Sequence, residues 1–181
     1  FKAFEADWQV VVEGAVGAGV KKIIVVGADL ASSQRAVELA QEHPALYAAV
    51  GIHPHHARSI KSIKSVKSIK ELARQPRVVA IGEIGLDYHV YKNSKYPSTA
   101  LRIYDKKLQR RVFEAQLEVA QEVNKPVIIH SREAGEEVLE SIKVSKCKSI
   151  KGVFHCFGGS KKYLKKILAA RREATSVGDE G

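Results

Sequence analysis

The sequence predicts an α/β fold, with parallel strands covered by helices, on three observations. Segments with apolar residues at helical spacing alternate with short, continuous apolar runs rich in β-branched residues. Those runs lack the polar–apolar alternation of a half-exposed sheet, so both faces of each strand are expected to be covered. Four of the runs also finish in polar groups that a packed core avoids.

The elements follow in order. Phe4, Trp8, Val11, Val12 and Ala15 share one face of a first helix, which Gly17 and Gly19 end. Lys21 to Gly27 (KKIIVVG) has strand length, and Ser32 or Ser33 can cap a helix running to His43-Pro44. Tyr47 to Pro54 is the second strand. Ser59 to Lys70 then repeats a Ser-apolar-Lys triplet four times. A three-residue period drifts by roughly 60° per triplet around a helix, so it predicts neither a clean apolar face nor a clean lysine stripe. Arg77 to Asp87 is the third strand. Leu108, Val112, Ala115, Val119, Ala120 and Val123 mark a long helix, stopped at Asn124-Lys125-Pro126. Pro126 to Ser131 is a fourth strand, a helix follows from about Arg132, and Gly152 to Phe157 is a fifth strand. Ser160 caps a last helix carrying Tyr163, Leu164, Ile167 and Leu168, and Ala174 to Gly178 reads as the start of a sixth strand. This alternation fits an open doubly wound sheet or a (β/α)8 barrel, and a complete barrel usually needs about 250 residues.

Composition narrows the class. With 181 residues, 45% of them hydrophobic and 28% charged, the chain suits one domain with a buried core and is neither disordered nor fibrous. It carries no run of the roughly 18 apolar residues that a membrane span needs, and no signal peptide is expected. Two cysteines, Cys147 and Cys156, make no disulfide framework and point to a reducing, cytoplasmic compartment. The formal net charge of +10 is concentrated in blocks: residues 141–172 carry ten basic side chains and no acidic one, and residues 92–111 carry seven against one. Tyr88, Tyr91, Tyr96 and Tyr104 lie in or beside the second block. Lysines among aromatic rings suit a nucleic-acid strand, and equally a solvated surface.

The chemistry is expected where strands end. The four terminal groups are Gly51-Ile52-His53-Pro54-His55-His56, Gly82-Glu83-Ile84-Gly85-Leu86-Asp87, Ile129-His130-Ser131-Arg132 and Phe154-His155-Cys156-Phe157. Alternation along a strand puts His53 with His55, Glu83 with Asp87, and His130 with Arg132. In parallel folds the C-terminal strand ends line the ligand crevice. A lone histidine there is commonly a satisfied structural group. Its recurrence with a glutamate in four consecutive strands favours a shared divalent cation. Gly82 and Gly85 weaken their strand, which predicts a close approach by something else. Alternation turns Cys156 away from the site, as a small buried residue. No G-x-S-x-G or Cys-His dyad signature is present. Gly158-Gly159-Ser160 reads as a turn and cap that could also meet an anion.

GIHPHHA (51–57), VVAIGEIGLDY (78–88), FEAQLEVAQEVNKPVIIHSREA (113–134) and GVFHCFGGS (152–160) together resemble the TatD-type metal-dependent deoxyribonucleases. The resemblance implies a single domain over residues 1–181, a TIM-barrel-like (β/α)8 fold that is incomplete, with about six strand-helix units. It implies a cytosolic enzyme that removes nucleotides from DNA 3′ ends with one or two divalent ions (Mg2+, Zn2+ or Mn2+). Its substrate is expected to be single-stranded ends. Glu83 resembles the carboxylate shared by two metals, and His130 and His155 the other ligands of one of them. His53 falls near the metals or the phosphate, so that Glu83, His53 and Arg132 are the expected catalytic groups. Arg132 and His55 are expected to meet substrate phosphate, and Asp87 to be structural. The family's H-x-H pair would precede Phe1 and its E-T-D-x-P aspartate would follow Gly181, so this form is expected to hold one ion well and to cleave weakly. Residues 92–104 resemble a basic insertion. Two other readings fit the same residues: a metal-dependent ester or amide hydrolase such as a D-aminoacyl-tRNA deacylase, and a non-catalytic, basic nucleic-acid-binding barrel remnant.

Overall fold

Five of the apolar runs form strands, and every connection between them carries a helix. The computed structural model describes residue 4 and residues 6–59, 64–90, 99–145 and 150–175. In chain order the elements are α1 (Trp8–Gly17), β1 (Ile23–Val26), α2 (Leu30–Glu42), β2 (Leu46–Val50), a 3-10 turn (Pro54–Ser59), α3 (Lys64–Ala73), β3 (Val78–Asp87), α4 (Thr99–Glu122), β4 (Val127–Arg132), α5 (Gly135–Val144), β5 (Gly152–Phe154) and α6 (Lys161–Thr175). None of these helices is long and apolar enough to cross a membrane.

Strand order decides between the two architectures. The sheet is parallel throughout and runs β1-β2-β3-β4-β5, each strand beside its predecessor in sequence. A doubly wound sheet reverses its order at a switch point, and this one does not. The arrangement is the arc of a TIM-like barrel, unclosed among the described residues. Val50, Ile81, Ile84, Leu86, Phe113, Leu117 and Val127 are fully buried where sheet and helices meet. Each stabilises the fold by roughly 1.5–3 kcal/mol relative to an exposed position.

Several local expectations change. Asp29, not Ser32 or Ser33, caps α2: its carboxylate accepts from Ser32 N at 2.8 Å while Asp29 N donates to Ser32 Oγ at 3.0 Å. This reciprocal box occupies the hydroxyl that the sequence offered as a cap. Ser33 serves β2 instead. Its Oγ donates to Gly51 O and accepts from Gly51 N, each at 3.1 Å, beyond the last β2 residue. The triplet repeat does acquire an apolar face where it is described, because Val66 and Ile69 are joined by Ala73 at helical spacing, all three buried. Of the expected sixth strand, Ala174 and Thr175 belong to α6 and residues 176–178 lie outside the described residues.

The foot of the sheet is fastened by cations. Arg77, in the left-handed region at φ 63°, stacks over Tyr47 at 4.6 Å and donates to the carbonyls of Pro44 (2.6 Å) and Leu46 (2.6 Å). Lys125 Nζ donates to Val78 O at the start of β3. Burial lowers the Lys125 pKa, and the carbonyl bond still suits its ammonium.

Candidate metal centre

β3 and β4 build the centre by approaching unusually closely. A Cβ on Gly82 would lie 2.6 Å from Ile128 Cβ, and one on Gly85 only 1.9 Å from His130 O. Gly85 also has φ +146°, a conformation L side chains rarely adopt. The close approach predicted from these glycines is therefore met by β4 itself. The register between the strands shifts between Ile81 and Ile84, where Glu83 lies.

Glu83 and Asp87 consequently engage the same imidazole. His130 Nδ1 lies 3.0 Å from Glu83 Oε1, and His130 Nε2 lies 3.1 Å from Asp87 Oδ2. His155, just beyond β5, brings its Nδ1 to 3.1 Å from the same Glu83 oxygen. His53 joins from the β2 side. One ligand-type atom from each of His53, Glu83 and His130 lies within 4.8 Å of the others. Sequence reading proposed Glu83, His130 and His155 as ligands, with His53 near the metals or the phosphate. Both His130 and His155 reach the same Glu83 oxygen, but among the described residues the group whose ligand atoms all lie close together is His53, Glu83 and His130, without His155.

His53 is held by backbone rather than by strand parity. β2 has already ended, and Gln116, fully buried on α4, accepts from Ile52 N at 2.7 Å and donates to Ile52 O at 3.1 Å. His53 N donates to Ala28 O at 2.9 Å. The 3-10 turn then carries His55 back, with His55 N donating to His53 Nδ1 at 3.2 Å and His55 Nε2 at 2.7 Å from Asp87 Oδ2. Asp87, its side chain 1% exposed, is thus the hub between His55 and His130, and its backbone N donates to Gln109 Oε1 at 2.9 Å. Sequence reading missed the two glutamines. The available signal was Gln116, an amide at a helical position otherwise filled by Val112, Phe113, Leu117 and Ala120, all buried.

The charges follow from these contacts. The hydrogen bond from His130 holds Glu83 down to about 2 despite burial, with His155 adding to the effect. Burial disfavours protonation of His130, but its bonds to Asp87 and Glu83 outweigh that and raise it to about 9. Burial and the neighbouring His130 and His55 charges push His53 down to about 4. The cluster therefore sets an ionised Glu83 against an imidazolium at His130, beside a neutral imidazole at His53.

Arg132 ends β4, exposed, at the wall of a groove of about 600 Å³ that His130 and His155 also line. Cys156 contradicts its expectation. β5 stops at Phe154, Cys156 takes φ 44° in the turn, and its exposed Sγ lies 3.5 Å from His155 Nε2. Parity does not extend past the last paired residue. Tyr88 is packed against the core with Lys106 Nζ over its ring at 4.2 Å. Tyr91, Tyr96 and Cys147 lie outside the described residues, as does the side chain of Tyr104.

Residues 1–178 match the family model described as TatD related DNase. The chain is 37% identical over 165 residues to the uncharacterized metal-dependent hydrolase YabD of Bacillus subtilis, covering 91% of this chain and 60% of that protein. It is 34% identical over 166 residues to the 3'-5' ssDNA/RNA exonuclease TatD of Escherichia coli K12, covering 92% and 59%. In structure it is similar to the TatD homologue YjjV of Escherichia coli K12, with a TM-score of 0.79, 29% identity, and coverage of 94% of this chain and 62% of that one. A TatD family hydrolase from Entamoeba histolytica shares the fold at a TM-score of 0.76 and 24% identity, covering 92% of this chain and 55% of that one. The chain spans about three fifths of the length of the curated relatives it matches.

Proposed function

The chain belongs to the TatD-related DNase family, and from that premise we propose that it is a single hydrolase unit, acting in the cytoplasm, that uses a divalent cation to cleave phosphodiester bonds at single-stranded DNA 3′ ends. The observation that supports this most is the convergence of two imidazoles on one Glu83 oxygen, with His53 in reach. The donor set fits a divalent cation. A carboxylate kept ionised down to about pH 2 supplies charge, and imidazoles supply directional lone pairs without cancelling the ion's charge.

Glu83 and His130 would hold the ion, with His155, whose Nδ1 reaches the same Glu83 oxygen, as the further ligand that the family resemblance implies. When bound, it would supply Lewis acidity towards a phosphoryl oxygen and would lower the pKa of a water, so that hydroxide is available as the nucleophile at neutral pH. Asp87 orients His130: for Nδ1 to present a lone pair, the imidazole proton must sit on Nε2, where Asp87 Oδ2 accepts it. His53 has a different task. Its Nδ1 already accepts from His55 N, so the neutral ring carries its proton on Nε2, a donor suited to a non-bridging phosphate oxygen. Arg132 contributes a fixed positive charge at the groove wall for the next phosphate. Asp87 engages His55 Nε2, which makes His55 a support for that carboxylate as well as a candidate phosphate contact.

Metal stoichiometry and 3′-exonuclease rate, measured for the wild type and Glu83→Ala, test the reading. Loss of both in the variant is expected; equal values would remove Glu83 from the mechanism.

A further inference from the structure

The groove beside the metal centre has two chemically distinct ends. His130, His155 and Arg132 make the polar end, with Glu133 and Glu136, paired to His89 and Lys166, also in the lining, and Phe154, Phe157 and Tyr163 make the aromatic end, within one cavity of about 600 Å³. That is the size range of small-ligand sites.

The aromatic end is built around one ring. Phe157 stacks on Tyr163 with centroids 5.8 Å apart and planes 14° from parallel. Phe154 meets both rings edge-on, at 6.4 Å and 6.2 Å. Backbone braces the pair: a Cβ on Gly159 would lie 2.6 Å from Phe157 Cζ and from Tyr163 Cδ1, and one on Gly135 would lie 2.8 Å from Tyr163 Cζ. With no Cβ at either position, the backbone at Gly159 and at Gly135, the first residue of α5, lies directly against the rings. Yet Phe157 remains 39% exposed. A braced ring beside cation ligands, two residues from His155, is poorly explained as core.

We propose that Phe157 is a stacking platform for a nucleobase of the strand whose phosphate lies at the polar end of the groove. The proposal rests on the phosphodiesterase reading above and adds where the substrate's base is held. A nucleotide matches the groove's division, with an anionic group at one end and a flat aromatic one at the other. Lys161 and Lys162, exposed in the first turn of the helix that carries Tyr163, add positive charge beside it. Stacking is sequence-tolerant because every base has a π-face, so the platform holds a strand end without selecting its sequence.

The test compares two single-stranded oligonucleotides, one ending in 2-aminopurine and one with an abasic residue at that position. The wild type is expected to quench the 2-aminopurine fluorescence and to bind the base-bearing strand about tenfold more tightly. Phe157→Leu keeps apolar volume but no π-face, so it should lose both effects; Phe157→Trp should keep them. Equal discrimination by Phe157→Leu and wild type overturns the platform, as does a wild type that binds both strands alike. A calorimetric metal titration of the wild type reports separately on the metal centre. No metal binding with intact base discrimination would overturn the phosphodiesterase reading and leave the platform standing.

Discussion

Asp87 Oδ2 lies 3.1 Å from His130 Nε2, and the same oxygen lies 2.7 Å from His55 Nε2. One buried carboxylate therefore contacts two imidazoles from different elements, one in the 3-10 turn after β2 and one on β4. Asp87→Ala is expected to weaken divalent-metal binding by about 10–100-fold, the usual consequence of removing the carboxylate behind a histidine ligand. Isothermal titration on folded protein, checked by circular dichroism, measures this. Unchanged affinity would mean that Glu83 alone orients His130.

Thermal stability of the metal-free protein should peak near pH 6.5. His130 is raised to about 9, so its stabilisation is complete below its ordinary 6.5 and is lost as pH rises through about 9. Glu83 is depressed to about 2, so its contribution is present above its ordinary 4.5 and is lost as pH falls through about 2. His53, depressed to about 4, refuses a proton that the unfolded chain accepts, which destabilises the fold as pH falls from 6.5 to about 4. Melting curves in chelator from pH 3 to 10 measure the profile, and a flat Tm between 6.5 and 9 contradicts the His130 assignment.

Gln116→Leu leaves Ile52 N and O without their buried partners. The expected cost is about 1–3 kcal/mol in urea unfolding. Because Ile52 immediately precedes His53, strand affinity should fall as well. A loss under about 0.5 kcal/mol would show that water replaces the amide.

Gly85→Ala places a methyl group 1.9 Å from His130 O, on a residue with φ +146°. Neither strand can move without disturbing the pairs Ile84–Ile129 and Gly85–His130. Destabilisation by about 4 kcal/mol or more, or failure to accumulate folded protein, is expected. A variant with near-wild-type Tm would contradict the close β3–β4 approach.

Strand identity was legible because continuous β-branched runs have one stable use in a chain of alternating elements, and the helix faces on either side agree with it. Glu83, His130 and His155 were read together because each falls in the C-terminal half of a parallel strand or just beyond it, and in the structure both imidazoles reach one Glu83 oxygen. The resemblance placed His53 near the metals or the phosphate, but how it is held was not legible, since Gln116 grips Ile52, the residue before it, across 64 positions of sequence. Cys156 was misplaced because alternation was carried two residues past the end of β5, into a turn with positive φ. The α2 cap was misassigned because Ser32 and Asp29 each have the right chemistry, and only the extended backbone of Asp29 separates them.

β3 has arginine and lysine gripping carbonyls at its foot and two acidic side chains serving histidines at its head. Durability and reactivity are thereby assigned to opposite rims of one strand. Substitutions at Arg77 or Lys125 should alter how long the folded chain survives heat or protease while leaving its affinity for ions almost untouched. The lower rim thus gives a lineage room to adapt to temperature without renegotiating its chemistry.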